Sequence, residues 1–161
     1  AFGTGGHATT RLVMRLLERR AAQGGLPKAV LDVGVGSGVL SIAALKLGAK
    51  TALGVDIDPE AVEATLANAA VNGVGAGMEA RAGSAGDIEG TWPLVLANIE
   101  LGAFLIAAPA IADRVADGGE LFLSGLLEEQ VPACEALFSG FERTDLVAED
   151  GWAALVMRRT A

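Results

Sequence analysis

The chain has little cysteine and little basic charge, and both shortages narrow the class of protein. Its one cysteine, Cys134, excludes an intramolecular disulfide and is typical of a reducing compartment, so we expect a cytoplasmic location. The 12 Lys and Arg are outnumbered by 20 Asp and Glu, which gives a net charge of −8. Because contacts to phosphate need clustered cationic side chains, we predict no direct binding to nucleic acid.

Long apolar runs are also missing, although hydrophobic residues make up 52% of the chain. The longest nearly apolar segment, Leu101 to Ala112, is bracketed by Glu100 and Asp113 and is shorter than the roughly 20 residues that a membrane span needs. We therefore predict a buried helix there and no membrane partner. No charged and then apolar leader opens the chain, so secretion has no support.

Three alternating glycines provide the main positive signal. Gly34, Gly36 and Gly38 follow the apolar run Val30 to Val33 and precede a helical pattern. Glycine lets backbone N–H groups approach a ligand closely, and the positive end of the following helix points at the same spot. Asp56 ends the next predicted strand, where its carboxylate can accept hydrogen bonds from both hydroxyls of a ribose. This pattern predicts a nucleotide-type cofactor site.

The spacing of the glycines distinguishes between cofactors. A dinucleotide fingerprint, G-x-G-x-x-G, starting at Gly34 requires a third glycine where Val39 stands. The observed G-x-G-x-G is similar to the first motif of class I S-adenosylmethionine-dependent methyltransferases. An oxidoreductase that uses a nicotinamide dinucleotide is an alternative of a different class, and Val39 opposes it.

The order of helical and strand patterns predicts one α/β domain over residues 1–161. We expect a Rossmann-like, mostly parallel sheet of seven strands that ends in an antiparallel C-terminal strand pair. The sequence predicts a first helix from Thr9 or Thr10 to about Gln23, capped by the threonines. Further along the chain it predicts a helix from Leu101 to Val115, a strand from Glu120 to Ser124, and a helix from Glu128 to Phe138.

Polar residues follow the first four predicted strands, and ligands in such sheets lie beyond the carboxyl ends of the central strands. The glycine turn follows strand one, Asp56 strand two, Ser84 strand three and Asn98 strand four. Position alone leaves two interpretations of Asn98 open. Its amide either projects into the site or only caps the helix that starts near Glu100.

Several segments together carry a resemblance to a known family. The opening Ala1 to Thr10 matches the pattern A-F-G-T-G-x-H-x-T-T. Further motifs match at Leu31 to Ala44, Gly54 to Pro59, Ala97 to Ile99 and Leu123 to Leu126. On these, the chain resembles the catalytic domain of the PrmA family, methyltransferases that modify lysine and N-terminal amines of ribosomal large-subunit protein eleven. The resemblance extends over nearly the whole chain.

The resemblance implies S-adenosylmethionine as methyl donor and a ribosomal large-subunit protein as substrate. It places Thr10, Gly34, Asp56 and Asn98 at matching cofactor-contact positions. With the turn and the loop after strand three included, the expected cofactor-binding set is Thr10, Gly34, Gly36, Gly38, Asp56, Ser84 and Asn98.

Methyl transfer from a sulfonium to an amine mainly requires that the two groups be held in line. The side-chain oxygen of Asn98 and the backbone carbonyl near Ile99 are the predicted acceptors that orient the amine. No cluster of His or Asp has ligand spacing, so we predict no metal site.

The opening segment suits a flexible lid over the cofactor, because its glycines permit unusual backbone angles. The predicted lid residues are Phe2, Gly3, Thr4, Gly5 and His7. His7 is the sole histidine, and we favour a role in organising the lid over a role as a base, because no carboxylate stands near it in sequence to orient it.

The chain begins with Ala1 inside the opening motif, so we expect the separate substrate-recruiting domain of the family to be absent. Two alternatives stay open as a result. The chain could act on another protein or a small amine, or it could bind the cofactor without activity.

Overall fold

The computed structural model describes residues 6–160, in which seven strands form one sheet flanked by helices. The strands are β1 (Ala29–Val33), β2 (Thr51–Asp56), β3 (Met78–Ala82), β4 (Trp92–Asn98), β5 (Val115–Leu127), β6 (Phe141–Glu149) and β7 (Trp152–Arg159). The α-helices are α1 (Gly6–Ala22), α2 (Val39–Lys46), α3 (Pro59–Val71), α4 (Leu101–Asp113) and α5 (Val131–Glu135).

The strand order is β3-β2-β1-β4-β5-β7-β6. Neighbouring strands from β3 to β5 are parallel, whereas β7 runs antiparallel to both β5 and β6. The predicted fold, a mostly parallel sheet that ends in an antiparallel C-terminal pair, is confirmed. The direction of the connections reverses between β1 and β4, which is where such sheets bind ligands.

Alternate residues of the central strands enter two separate cores, because successive side chains point to opposite faces of a strand. Leu31 packs with Phe104 of α4, whereas its neighbour Val30 packs on the opposite face with Leu16 of α1. Helices therefore cover both faces of the sheet, and its carboxyl edge remains open for a site.

Helix α1 begins at Gly6, so the prediction of a helix capped by Thr9 or Thr10 is wrong. Thr9 is fully buried, and its carbonyl oxygen accepts a hydrogen bond from the Ser124 hydroxyl at 3.3 Å. This tertiary packing extends the helix toward the N-terminus past its most capable capping residues. Ion pairs on the outer side of α1 join Arg11 and Arg15 to Glu149.

Two predicted boundaries near β5 are wrong. The strand spans Val115–Leu127 rather than 120–124, and α4 therefore stops at Asp113. Gly118 and Gly119 lie at an irregularity within β5, where the register with β4 shifts between the pair Trp92–Val115 and the pair Leu94–Glu120.

The predicted helix Glu128 to Phe138 is also wrong, because only Val131–Glu135 is α-helical. Pro132 lacks the N–H that an α-helix starting at Glu128 would donate to the Glu128 carbonyl. Residues Glu128–Gln130 form a 3₁₀ turn instead. After α5, the Leu137 and Phe138 N–H groups bond three residues back, which tightens and ends the helix.

A helix is confirmed at the apolar run, but the prediction that it is buried is wrong for the side that faces away from the sheet, where Leu105 and Ile106 are 59% and 85% exposed. Phe104 and Ile111 are fully buried, and Pro109 lies inside the helix. Across residues 6–160, no helix combines the length and the apolar character that crossing a membrane requires.

Candidate functional site

A cavity of about 540 Å³ opens at the carboxyl ends of the first four strands. The structure brings the glycine turn, Asp56, Ser84 and Asn98 together in its lining, as the pattern of strand ends predicts. The volume lies within the roughly 300–1,000 Å³ of small-molecule sites. The roles of these residues in binding stay predictions.

The three glycines of the turn have different surroundings. Gly34 has φ +74°, and a Cβ there would stand 2.8 Å from Cγ2 of Ile99. Gly36 has φ +58°, lines the cavity, and has open space where a Cβ would lie. Gly38 starts α2 at φ +83° and packs on Thr65 of α3, outside the cavity lining. Only the first two glycines thus border the space for a ligand.

The Asp56 carboxylate is held by backbone groups at the end of β2. Oδ2 accepts from the Gly36 N–H at 3.0 Å, and Oδ1 accepts from the Asp58 N–H at 3.0 Å. Each carboxylate oxygen has further acceptor capacity, so both can also accept from a ligand hydroxyl. The bond from Gly36 ties the glycine turn to the second strand, and the two bonds together fix the carboxylate at the cavity.

Beneath the turn lies the buried carboxyl of Asp32. Its Oδ2 accepts a hydrogen bond from the Ser41 hydroxyl at 2.7 Å, and 2% of the residue is exposed. The pKa of Asp32 is raised to about 7: burial raises it most, hydrogen bonds from Ser41 offset part of that rise, and the nearby charge of Asp56 adds to it. Asp32 therefore changes its charge close to neutral pH.

Asn98 is the last residue of β4 and lines the cavity. Within residues 6–160 its buried Oδ1 has no hydrogen-bond partner. Helix α4 is capped at Glu100 without a side-chain bond, so the interpretation of Asn98 as a helix cap is not supported. A buried acceptor without a donor costs free energy of about 1–3 kcal/mol, which a ligand donor would recover.

The next residue, Ile99, is half-buried and borders the cavity through its contact with the glycine turn. Its side chain is the one that leaves no room for a Cβ at Gly34. The segment from Asn98 to Glu100 therefore forms the wall of the cavity that faces the turn.

Ser84 is exposed at the rim of the cavity, and its hydroxyl donates to Oδ2 of Asp87 at 3.0 Å. The Ser84 backbone N–H donates to the same oxygen at 2.8 Å, and these bonds lower the pKa of Asp87. The Ser84 hydroxyl still has acceptor capacity toward a ligand.

Sequence reasoning missed Ile57, which lines the cavity beside Asp56 and is 82% exposed. A large apolar side chain left in water next to the carboxylate that is predicted to bind a ribose could cover the flat face of a base. The sequence signal for Ile57 was its position between the two acids Asp56 and Asp58. Burial in the sheet ends with β2, so an apolar residue directly after that strand is left exposed.

The opening segment is only partly described. The predicted lid residues Phe2, Gly3, Thr4 and Gly5 lie outside the described residues. His7 belongs to α1, so this part of the expected flexible lid is helical. Thr10 is half-buried on α1 and does not border the cavity as the described residues form it.

Comparisons with known proteins extend over nearly all of the chain. Residues 1–160 match the family model described as ribosomal protein L11 methyltransferase (PrmA). The ribosomal protein L11 methyltransferase of Citrifermentans bemidjiense is 44% identical over 162 residues, which cover 99% of this chain and 53% of that protein. The chain spans about half the length of the curated relatives it matches.

Solved structures agree with this match. The ribosomal protein L11 methylase of Lactobacillus delbrueckii subsp. bulgaricus superposes with a TM-score of 0.87 at 33% identity, covering 96% of this chain and 80% of that one. The magnesium protoporphyrin IX methyltransferase of Synechocystis PCC 6803, solved with bound SAM, shares the fold with a TM-score of 0.74 at 20% identity, covering 92% and 78% of the two chains. The fold is that of class I S-adenosylmethionine-dependent methyltransferases, and the chain belongs to the ribosomal protein L11 methyltransferase (PrmA) family.

Proposed function

We propose that the chain is an S-adenosylmethionine-dependent N-methyltransferase whose acceptors are lysine and N-terminal amines of ribosomal protein L11. Membership of the family supports the choice of substrate, and the polar groups that line the cavity support methyl transfer to an amine. With a ribosomal protein as the substrate, we propose the cytoplasm as the location of the reaction.

The residues that line the cavity fit S-adenosylmethionine. The Asp56 carboxylate has acceptor capacity for the two ribose hydroxyls, and exposed Ile57 offers an apolar surface to the adenine. The open space at Gly36 admits the amino-acid end of the cofactor close to backbone N–H groups. Gly34 and Ser84 complete the predicted contacts.

The observation that carries the proposal is the buried Oδ1 of Asn98 in the cavity lining, which has no hydrogen-bond partner among residues 6–160. An amine donates hydrogen bonds, so it satisfies this acceptor while its lone pair stays free to attack. The backbone carbonyl of Ile99 is the second proposed acceptor, and together the two fix the direction of the lone pair.

When bound, S-adenosylmethionine supplies a methyl group on a positively charged sulfur, which takes the C–S bonding electrons as the new N–C bond forms. Asn98 accepts a hydrogen bond from the amine throughout, which restricts its rotation. Water is displaced from the cavity, which lowers the pKa of a lysine amine and favours the neutral form that attacks. The amine proton passes to solvent, so no side chain has to serve as a base.

The proposal is tested by incubating the chain with purified ribosomal protein L11 and S-adenosylmethionine labelled in the methyl group. We expect label that survives mild alkali, because methylamines resist alkaline hydrolysis whereas methyl esters do not, and we expect mass spectrometry to locate it on lysine or N-terminal nitrogen. Label on a carboxylate, or no transfer although the cofactor binds, would contradict the proposal.

A further inference from the structure

A second groove, of about 240 Å³, lies beside the cofactor cavity at the carboxyl edge of the sheet. Its lining includes Glu100, Leu101, Leu127, Gln130 and Trp152. Glu100 also lines the cofactor cavity, so the two spaces meet at this residue. The groove therefore adjoins the proposed methylation site.

The position of the groove in the sheet places it on the side of the methyl acceptor. The cofactor cavity extends from β4 toward Asp56 of β2, whereas the groove extends the other way, to Leu127 of β5 and Trp152 of β7. Leu127 and Trp152 are paired across those two strands. Asn98 ends β4, close to the boundary between the two spaces.

The groove combines one carboxylate with apolar walls. Glu100 is exposed, and within the described part of the chain its carboxylate takes part in no hydrogen bond or ion pair that the structure records. Leu127 and Trp152 are half-buried and present apolar surface beside it. A lysine side chain has the matching form, since it buries its methylenes against apolar surface and carries a positive charge at its end.

We propose that this groove receives the methyl-accepting lysine side chain of a basic protein, with Trp152 and Leu127 against its methylenes and Glu100 attracting its ammonium group. The inference rests on the proposed amine methyltransferase function. A neighbouring carboxylate favours the charged form of an amine, so Glu100 acts in capture and not in proton removal. Loss of the Glu100 charge should therefore change the KM for the acceptor and not kcat.

Glu100→Gln tests the charge directly, with a lysine peptide (acetyl-Gly-Gly-Lys-Gly-Gly amide) and ribosomal protein L11 as acceptors. We expect acceptor KM to rise about 5- to 10-fold at low salt, with kcat within about twofold, and the difference to shrink at high salt because screening weakens exposed charges. The assays are run at saturating S-adenosylmethionine, with the cofactor affinity of each protein measured by calorimetry, because Glu100 also lines the cofactor cavity.

Glu60→Gln is the matched control, because Glu60, like the N-cap residue Glu100, is an exposed carboxylate at the start of a helix, but it borders neither space as the described residues form them. It reproduces the change in net charge and in interaction with a helix dipole. Equal KM changes in the two variants, or no change in Glu100→Gln, would overturn the proposal.

Trp152 supplies a test that does not need turnover. The chain has two tryptophans, so Trp92→Phe leaves Trp152 as the single reporter, and Trp92 lies at the opposite end of β4. With S-adenosylhomocysteine present, we expect the peptide to change Trp152 fluorescence, and Glu100→Gln to shift the titration midpoint by the same factor as KM. A Trp152 signal that does not respond to the peptide would refute the groove.

Different results would contradict the proposed function and the proposed groove. Absence of cofactor binding or of methyl transfer by the unaltered chain would contradict the proposed function. Methyl transfer to L11 that is indifferent to Glu100 and silent at Trp152 would leave that function standing and remove the groove from it.

Discussion

Asp32→Asn removes a buried carboxyl group whose ionisation the fold opposes. Asn keeps an oxygen that can accept the Ser41 hydrogen bond and has nearly the same size, so packing beneath the glycine turn is retained. What changes is titration: Asp32 can gain or lose a proton, and Asn cannot. The two proteins should therefore differ in how their stability depends on pH.

The sign follows from the two pKa values. The unfolded chain releases the Asp32 proton near pH 3.8, whereas the folded protein keeps it up to about pH 7. Between these values the folded state binds more protons, so the free energy of unfolding falls as pH rises. The stability that protonated Asp32 contributes is fully present below pH 3.8 and is lost as pH rises through about 7.

The free-energy cost of ionising Asp32 follows from the difference between its folded and unfolded pKa values. At about 1.4 kcal/mol for each pH unit between the unfolded and folded pKa values, ionisation of Asp32 costs up to about 4 kcal/mol. Relative to Asp32→Asn, the natural chain should lose most of this between pH 4.5 and pH 8. That is a large share of the about 5–15 kcal/mol by which domains are stable.

Urea denaturation of both proteins at several pH values between 4.5 and 8 measures the effect. Subtracting the two free energies of unfolding cancels the titration of the other groups. A difference between the two proteins that stays constant over this range would refute the assignment of a raised pKa to Asp32. Ser41→Ala should move the transition to higher pH, because the hydrogen bond it removes lowers the pKa of Asp32.

Three substitutions at the cavity test the remaining roles. Gly34→Ala should lower Tm by roughly 5 °C, because it combines about 1–2 kcal/mol of left-handed backbone strain with a clash against Ile99, and an unchanged Tm would contradict this geometry. Gly36→Ala should cost less stability but weaken S-adenosylmethionine binding at least tenfold in calorimetry, since its Cβ enters open space at the cavity. Asn98→Ala should lower kcat for L11 about 10- to 100-fold at saturating cofactor through loss of one amine hydrogen bond, whereas Asn72→Ala, exposed at the end of α3, should not. Full turnover by Asn98→Ala would exclude its proposed role.

Much of the site's location could be predicted because it depends on chain direction and strand ends. Strand β1, at Ala29–Val33, contains the apolar run Val30 to Val33 that precedes the glycines, and Asp58 caps α3 by accepting from the Glu60 N–H at 2.9 Å. Once the sheet is parallel, the carboxyl ends of neighbouring strands meet at one edge. Asp56 and Asn98 are therefore brought together without knowledge of any side-chain contact.

The features of the site that could not be predicted depend on contacts between residues that are distant in the sequence. The spacing of the glycines does not show that a Cβ at Gly34 would clash with Ile99 or that one at Gly38 would clash with Thr65. It also does not show that, of the three glycines, only Gly36 faces open space. Burial of Thr9 likewise extends α1 beyond its expected cap. These features follow from packing partners that are chosen only when the whole sheet has formed.

The assignment of the cavity to S-adenosylmethionine is tested most directly by calorimetry of the chain with this cofactor and, separately, with NAD. We predict binding of S-adenosylmethionine at one site per chain and none of comparable strength for NAD. Asp56→Ala should weaken the affinity by about 1.5–3 kcal/mol, roughly 10- to 150-fold, through loss of the ribose hydrogen bonds, while Glu63→Gln on the exposed side of α3 leaves it unchanged. NAD binding as tight as that of S-adenosylmethionine, or equal affinity in the Asp56→Ala variant, would contradict the assignment.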